Sequence, residues 1–159
     1  VKLSTVFLFL NCVFYFIGCN SDSAINTITI KGVWFEDVYV EDFNRISRLE
    51  YNFKEKGIVE ILRIEMDKDS VEILGYRYRT TGNYKQAEEK LFFYNLVSYS
   101  NDDSKGDYSK LHDLMKASAE NSYAYSYEIS SDGRELTFFY PPCSPSANCV
   151  TEQTFTKVM

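Results

Sequence analysis

The sequence predicts an all-β protein: an eight-stranded up-and-down antiparallel barrel with one short helix inserted between strands five and six. Three observations carry that expectation. The chain holds 13 Tyr and 12 Phe among many Val, Ile and Thr, with only 7 Gly, and aromatic and β-branched side chains suit a pleated, half-buried surface. Apolar and polar residues alternate in short segments, the period of a strand that buries one face. Turn signals such as Lys54-Glu55-Lys56-Gly57 and Ser131-Asp132-Gly133 separate those segments, which suits neighbouring strands joined by hairpins. Eight such strands close a barrel whose interior is either filled by side chains or holds one small ligand.

The first strand covers residues 27–40, TITIKGVWFEDVYV. The second, RLEYNF, sets Leu49, Tyr51 and Phe53 against Glu50 and Asn52. The third covers 58–66, and Asp67-Lys68-Asp69 turns the chain into VEILGYRYRT, where Tyr76 and Tyr78 oppose Arg77 and Arg79. The fifth covers 90–99. An interruption at 101–121 follows, in which Asp107 caps a short helix with Tyr108, Leu111 and Met115 on one face. That helix reads as a cover for a barrel edge or end, or as a lid. The sixth strand, SYAYSYEIS, sends Tyr123, Tyr125, Tyr127 and Ile129 one way and Ser122, Ala124, Ser126 and Glu128 the other. ELTFFY at 135–140 and VTEQTFTKV at 150–158 complete the set.

Ahead of the barrel the chain reads as a leader. Lys2 is the one charge in residues 1–18, and the apolar run 3–17 stops at Gly18-Cys19. A positive start followed by an apolar run is the pattern of a secretory signal, and the run is shorter than the roughly 20 residues a spanning helix needs. Phe16-Ile17-Gly18-Cys19 resembles a bacterial lipobox, with Phe16 where Leu is usual. The resemblance implies cleavage after residue 18 and acylation of Cys19 by palmitate-type chains, two or more of which anchor a protein firmly. It divides the chain into a signal peptide (1–18), a lipidated tether (19–26) and a barrel domain (27–159). The expected location is the outer membrane of a bacterial envelope, on a face the sequence leaves open. The alternative is an ordinary secretory peptide whose cysteine is incidental.

The chain carries 17 Lys and Arg against 23 Asp and Glu, a net charge of −6, one unit more negative once Lys2 leaves with the leader. So acidic a domain is a poor nucleic-acid binder, because phosphate contacts need clustered basic residues. The outer faces of the expected strands carry Glu50, Lys54, Glu60, Arg63, Glu65, Arg77 and Arg79. Those charges argue against a lipid-facing apolar band. Of four cysteines, Cys12 leaves with the leader and Cys19 takes the lipid, so Cys143 and Cys149 remain to pair in an oxidising compartment. The loop they close is short and stiffened by Pro141, Pro142 and Pro145, and its closure contributes only about 2 kcal/mol. A redox or metal role is the alternative, disfavoured by a spacing unlike CxxC and by the lack of a nearby His.

Little in the sequence points to catalysis. His112 is the single histidine, no GxSxG motif accompanies it, and it reads as an exposed residue of the inserted helix. The acidic pairs Glu36-Asp37, Glu41-Asp42 and Glu88-Glu89 are strand neighbours that point to opposite faces, so they do not make dyads. NDDSKGDYSKLH has the glycine of a calcium loop, but Lys105 and His112 stand where ligands are needed. No metal, cofactor or enzymatic activity is expected.

Gly32-Val33-Trp34 in the first strand matches the lipocalin G-x-W, TFTKV places Lys157 in the last strand, and Phe53 to Gly57, FKEKG, is similar to that family's turn between strands two and three. The chain thus resembles the lipocalins, and more closely the small lipocalin-like lipoproteins common in Bacteroidetes. The resemblance implies that Gly32, Trp34 and Lys157 close the narrow end of the barrel, with the Trp packed on the basic residue. Arg is the usual partner there. The tyrosine sets Tyr76/Tyr78 and Tyr123/Tyr125/Tyr127 offer rings to an apolar ligand and hydroxyls to orient it. The same rings also serve as core and cross-strand pairs. Two functions are therefore weighed: a non-catalytic module that holds a small hydrophobic ligand, and a filled barrel that contacts another envelope protein as inhibitor or partner.

Overall fold

The computed structural model describes residues 29–102, 104, 106–142 and 149–159, with the backbone alone at 118–121. The leader, Cys19 and Cys143 lie outside the described residues.

Eight strands run β1 (Gly32–Val40), β2 (Arg45–Lys54), β3 (Ile58–Asp67), β4 (Ile73–Ala87), β5 (Lys90–Ser100), β6 (Met115–Ile129), β7 (Glu135–Phe139) and β8 (Glu152–Lys157). Each pairs antiparallel with the next, and β1 pairs with β8 to close the barrel in sequence order. That seam is short, with Trp34↔Lys157 and Phe35↔Thr156 as its pairs. The wall is uneven. β4 and β6 have 15 residues each, whereas β7 has 5 and β8 has 6. One end, the floor, gathers the start of β1, the β2–β3 turn and the end of β8. The other end, the mouth, gathers the turns after β1 and β3 and the long connection after β5.

That connection corrects the expected helix. Between β5 and β6 only Leu111–Asp113 turns, as a single 3-10 turn, and Met115 already belongs to β6. Asp107 caps nothing; it pairs with Arg45 of β2 across 3.2 Å. The physical reason is competition: residues 115–121 continue the ladder with β5 down to Tyr94↔Ser122, and strand pairing there outweighs helical spacing. Ser109 meanwhile exchanges both backbone hydrogen bonds with Tyr76 at 2.8 and 3.1 Å. Gly75 permits this close pass, since a Cβ there would stand 2.6 Å from the Tyr108 ring.

The floor half of the interior is solid. Phe53, Phe93, Phe138 and Phe155 are at most 1% exposed, alongside Leu91, Leu96, Leu136 and Val59. Each such side chain contributes roughly 1.5–3 kcal/mol by leaving water. Their rings meet edge to face, as in Phe138–Phe155 at 5.4 Å and Phe53–Tyr84 at 4.9 Å, the arrangement ring quadrupoles favour. Trp34 seals the bottom. It is fully buried, and its Nε1 donates to the Ile30 carbonyl at 2.6 Å.

Outside, Arg48 forms a two-pronged pair with Asp37 at 2.7 and 2.8 Å, and Glu60 takes both Lys54 and Arg79. Two residues expected on that outer face are inside. Arg63 lies opposite Leu49 and Glu65 opposite Ser47, so both share the lumenal face of Tyr51 and Ile61, because paired residues project to the same side. Alternation alone cannot say which face is inner when both carry charges.

Candidate functional site

The mouth half of the barrel is hollow. A cavity of about 460 Å³ is lined by Tyr51, Ile61, Tyr78, Thr80, Ser98 and Tyr123, among others, and by Tyr125 on the far wall. Its base is the top of the aromatic floor. Tyr51 touches Phe138 and Phe155 from above at 5.3 and 5.1 Å. Tyr123 stacks on Phe93 at 4.9 Å and meets Tyr125 at 5.0 Å. One wall is hydroxylic, with Thr80 Oγ1 and Ser98 Oγ 2.8 Å apart across β4 and β5.

Why the filling stops halfway is written in β4 and β5. On the floor side β5 turns Leu91, Phe93 and Leu96 inward. Beyond the bulge around Gly82 and Asn95, Thr80, Ser98 and Ser100 face inward beside Tyr78 and are too small to span the lumen. Large residues below and small ones above leave a chamber.

Where the short β7 and β8 end, side chains continue the wall. Gln153 donates through Nε2 to Glu36 on β1, and the Tyr140 hydroxyl donates to Gln153 Oε1 at 2.7 Å. Tyr140 in turn packs edge-on against Tyr125 at 4.8 Å. Burial raises the pKa of the Tyr140 phenol above its ordinary value, and nearby Tyr125 and Glu36 add to the shift. Burial likewise holds the Tyr51 phenol protonated well beyond the usual range.

At the mouth sits a charge cluster. Arg45 Nε meets Glu65 Oε2 at 2.7 Å with side-chain exposures of 7% and 0%. Ser47 donates to the other Glu65 oxygen at 2.8 Å. Arg45 also reaches Asp107 and lies 4.4 Å from the centroid of the Phe43 ring. A second cavity of about 450 Å³ opens beside it, lined by Arg63, Arg77, Tyr78, Ser100, Asn101 and Asp107. Tyr78 and Ser100 border both cavities.

The chain matches no family model, no curated protein and no solved structure. Its geometry stands by itself.

Of the five tyrosines singled out in the sequence, Tyr78, Tyr123 and Tyr125 line the chamber. Tyr127 sits toward the floor, where its hydroxyl accepts from Gln86 at 2.7 Å. Tyr76 is placed on the opposite face, opposite Ile64, because β4 bulges at Arg77 between the pairs Arg63↔Tyr78 and Ile64↔Tyr76. At the floor, Gly32, Trp34 and Lys157 come together. Lys157 Nζ lies 4.9 Å from the Trp34 ring centroid, and Gly32, at φ +118°, faces Lys157 Cε. His112 is exposed beside Asp113. Cys143 lies outside the described residues, so its pairing with Cys149 is a proposal. Sequence reasoning passed over Tyr51, Thr80, Ser98, Arg45 and Arg63 as site residues. Only the placing of Tyr51 in the alternation of RLEYNF carried a signal for any of them.

Proposed function

We propose that this chain is a lipocalin-like lipoprotein of the type found in Bacteroidetes, anchored to the outer membrane through acylated Cys19. Its barrel holds a small hydrophobic ligand without catalysing a reaction. The observation that carries the reading is the half-filled lumen: a solid aromatic floor beneath an open chamber of about 460 Å³. Ligand pockets of about 300–1,000 Å³ lined by aromatic rings and a few placed polar groups are the usual form of a small-molecule site. Tyr78, Tyr123 and Tyr125 supply rings, and Thr80 and Ser98 supply hydroxyls. The Trp34–Lys157 contact across a closed floor supports the lipocalin comparison. The deciding experiment is native mass spectrometry of the secreted domain carrying Cys19→Ser, purified from its own organism. A non-covalent adduct released on denaturation supports a carrier, and Ser98→Trp, which fills the chamber, should abolish it. A clean apo mass for the domain with Ser98 intact counts against it.

One observation favours a second reading, a partner protein of the envelope. Phe43, Val71, Ile73 and Met115, all at the mouth, are 50–57% exposed, an apolar rim of the kind that marks contact surfaces.

A further inference from the structure

Two arginines at the mouth stand out from the chain's other arginines. Arg45, Arg48, Arg79 and Arg134 each meet a carboxylate. Arg63 and Arg77 do not: among the described residues neither guanidinium has an ion pair or a side-chain hydrogen bond. Both line the second cavity, and Arg63 is half-buried on the lumenal face of β3. The acid that lines the same cavity, Asp107, is already engaged by Arg45, and Glu65 is taken up by Arg45 and Ser47. An acidic chain of net charge −6 therefore turns two uncompensated positive charges toward its own opening. Holding the half-buried Arg63 guanidinium partly out of water without a counter-charge is unfavourable. An anion from solution, within reach also of the exposed Arg77 beside the same cavity, offsets that cost.

Resting on the reading of the lumen as a ligand chamber, we infer that the ligand is an organic anion with an apolar or aromatic body. Its acid group, a carboxylate, sulfonate or phosphate, sits between Arg63 and Arg77. Its body passes Tyr78 and Ser100, the residues common to both cavities, to lie on Tyr123 and Tyr125. Guanidinium groups suit such acids because their planar donors bind two oxygens at once. The tyrosine rings accept the apolar rest of the molecule. A neutral molecule of the same shape fills the chamber but leaves both guanidiniums bare.

A matched pair of fluorescent probes separates this inference from the reading beneath it. The anion 1-anilinonaphthalene-8-sulfonate and the uncharged N-phenyl-1-naphthylamine share nearly the same aromatic body. With the intact domain, the sulfonate should bind at least about tenfold tighter. Arg63→Gln and Arg77→Gln should each weaken it by about tenfold, the scale of one charge-assisted hydrogen bond, while leaving the neutral probe unchanged. Unaltered Trp34 emission and melting temperature would show that both variants fold. Equal binding of the two probes, or variants that leave the sulfonate unaffected, overturns the anion assignment but keeps the chamber. Failure of both probes to bind overturns the chamber reading and the anion assignment together.

Discussion

Arg45 and Glu65, twenty positions apart in the sequence, form a nearly water-free ion pair inside the barrel wall, 2.7 Å from nitrogen to oxygen. The pair joins β2 to β3 next to the mouth, and Ser47 donates to the carboxylate's other oxygen. Buried pairs of this kind are weak sources of net stability, yet removing one partner strands the other charge.

Arg45→Met should therefore destabilise the domain by about 3–5 kcal/mol, and Arg45→Met with Glu65→Leu by much less. Urea denaturation of the two variants checks this. A single variant within about 1 kcal/mol of the parent would show that water reaches Glu65 and supports its charge.

Trp34 is the chain's one tryptophan, so the state of the floor can be read by fluorescence. Emission should be blue-shifted and resistant to acrylamide. Trp34→Phe removes the donor to the Ile30 carbonyl and the ring beneath Lys157, and should cost about 2–4 kcal/mol. Lys157→Arg should be nearly neutral, since either cation can face the ring. A red-shifted, freely quenched tryptophan in the folded domain contradicts the sealed floor.

The buried phenols make stability fall in alkali. Burial raises the folded-state pKa of Tyr51 and Tyr140 above the ordinary value of 10.0. The folded state thus holds protons that the unfolded chain releases. The stabilisation is full below pH 10 and is lost as pH rises past it. Absorbance titration near 295 nm should show at least two tyrosines ionising only as the barrel unfolds. Tyr140→Phe should remove one of them. All tyrosines titrating in the folded domain near the ordinary value would refute the placement of these rings.

Cys143 and Cys149 are expected to be paired in the exported protein. Thiol counting on the denatured, unreduced Cys19→Ser domain should find no free sulfhydryl. Reduction should lower stability by only about 2 kcal/mol, because the loop is short. Two reactive thiols in freshly exported protein would rule the link out.

Much of the barrel was legible because its strands carry strong apolar alternation. RLEYNF and SYAYSYEIS lie where their pattern places them, in β2 and β6. What was not legible has local causes. The second half of β4, TTGNYKQA, contains few strand-favouring residues, and its conformation comes from pairing with β5. The start of β6 is rich in Lys, Ala and Glu and imitates a helix. A single bulge at Arg77 reverses the direction of Tyr76 relative to Tyr78, and no periodicity announces a bulge. Chamber residues such as Thr80 and Ser98 matter by being small, and Arg63 and Glu65 by facing inward. A one-dimensional pattern encodes neither property.

The sealed floor also fixes a direction in space. Ile30 enters the barrel beneath Trp34, so the polypeptide approaches from the blind end, opposite the charged mouth. On the proposal that Cys19 is acylated, the bilayer lies on the side of that blind end. A protein hung this way stands on its base like a cup, open toward the surrounding fluid. It would collect solutes arriving by diffusion, and molecules dissolved in the leaflet beneath would first have to leave it.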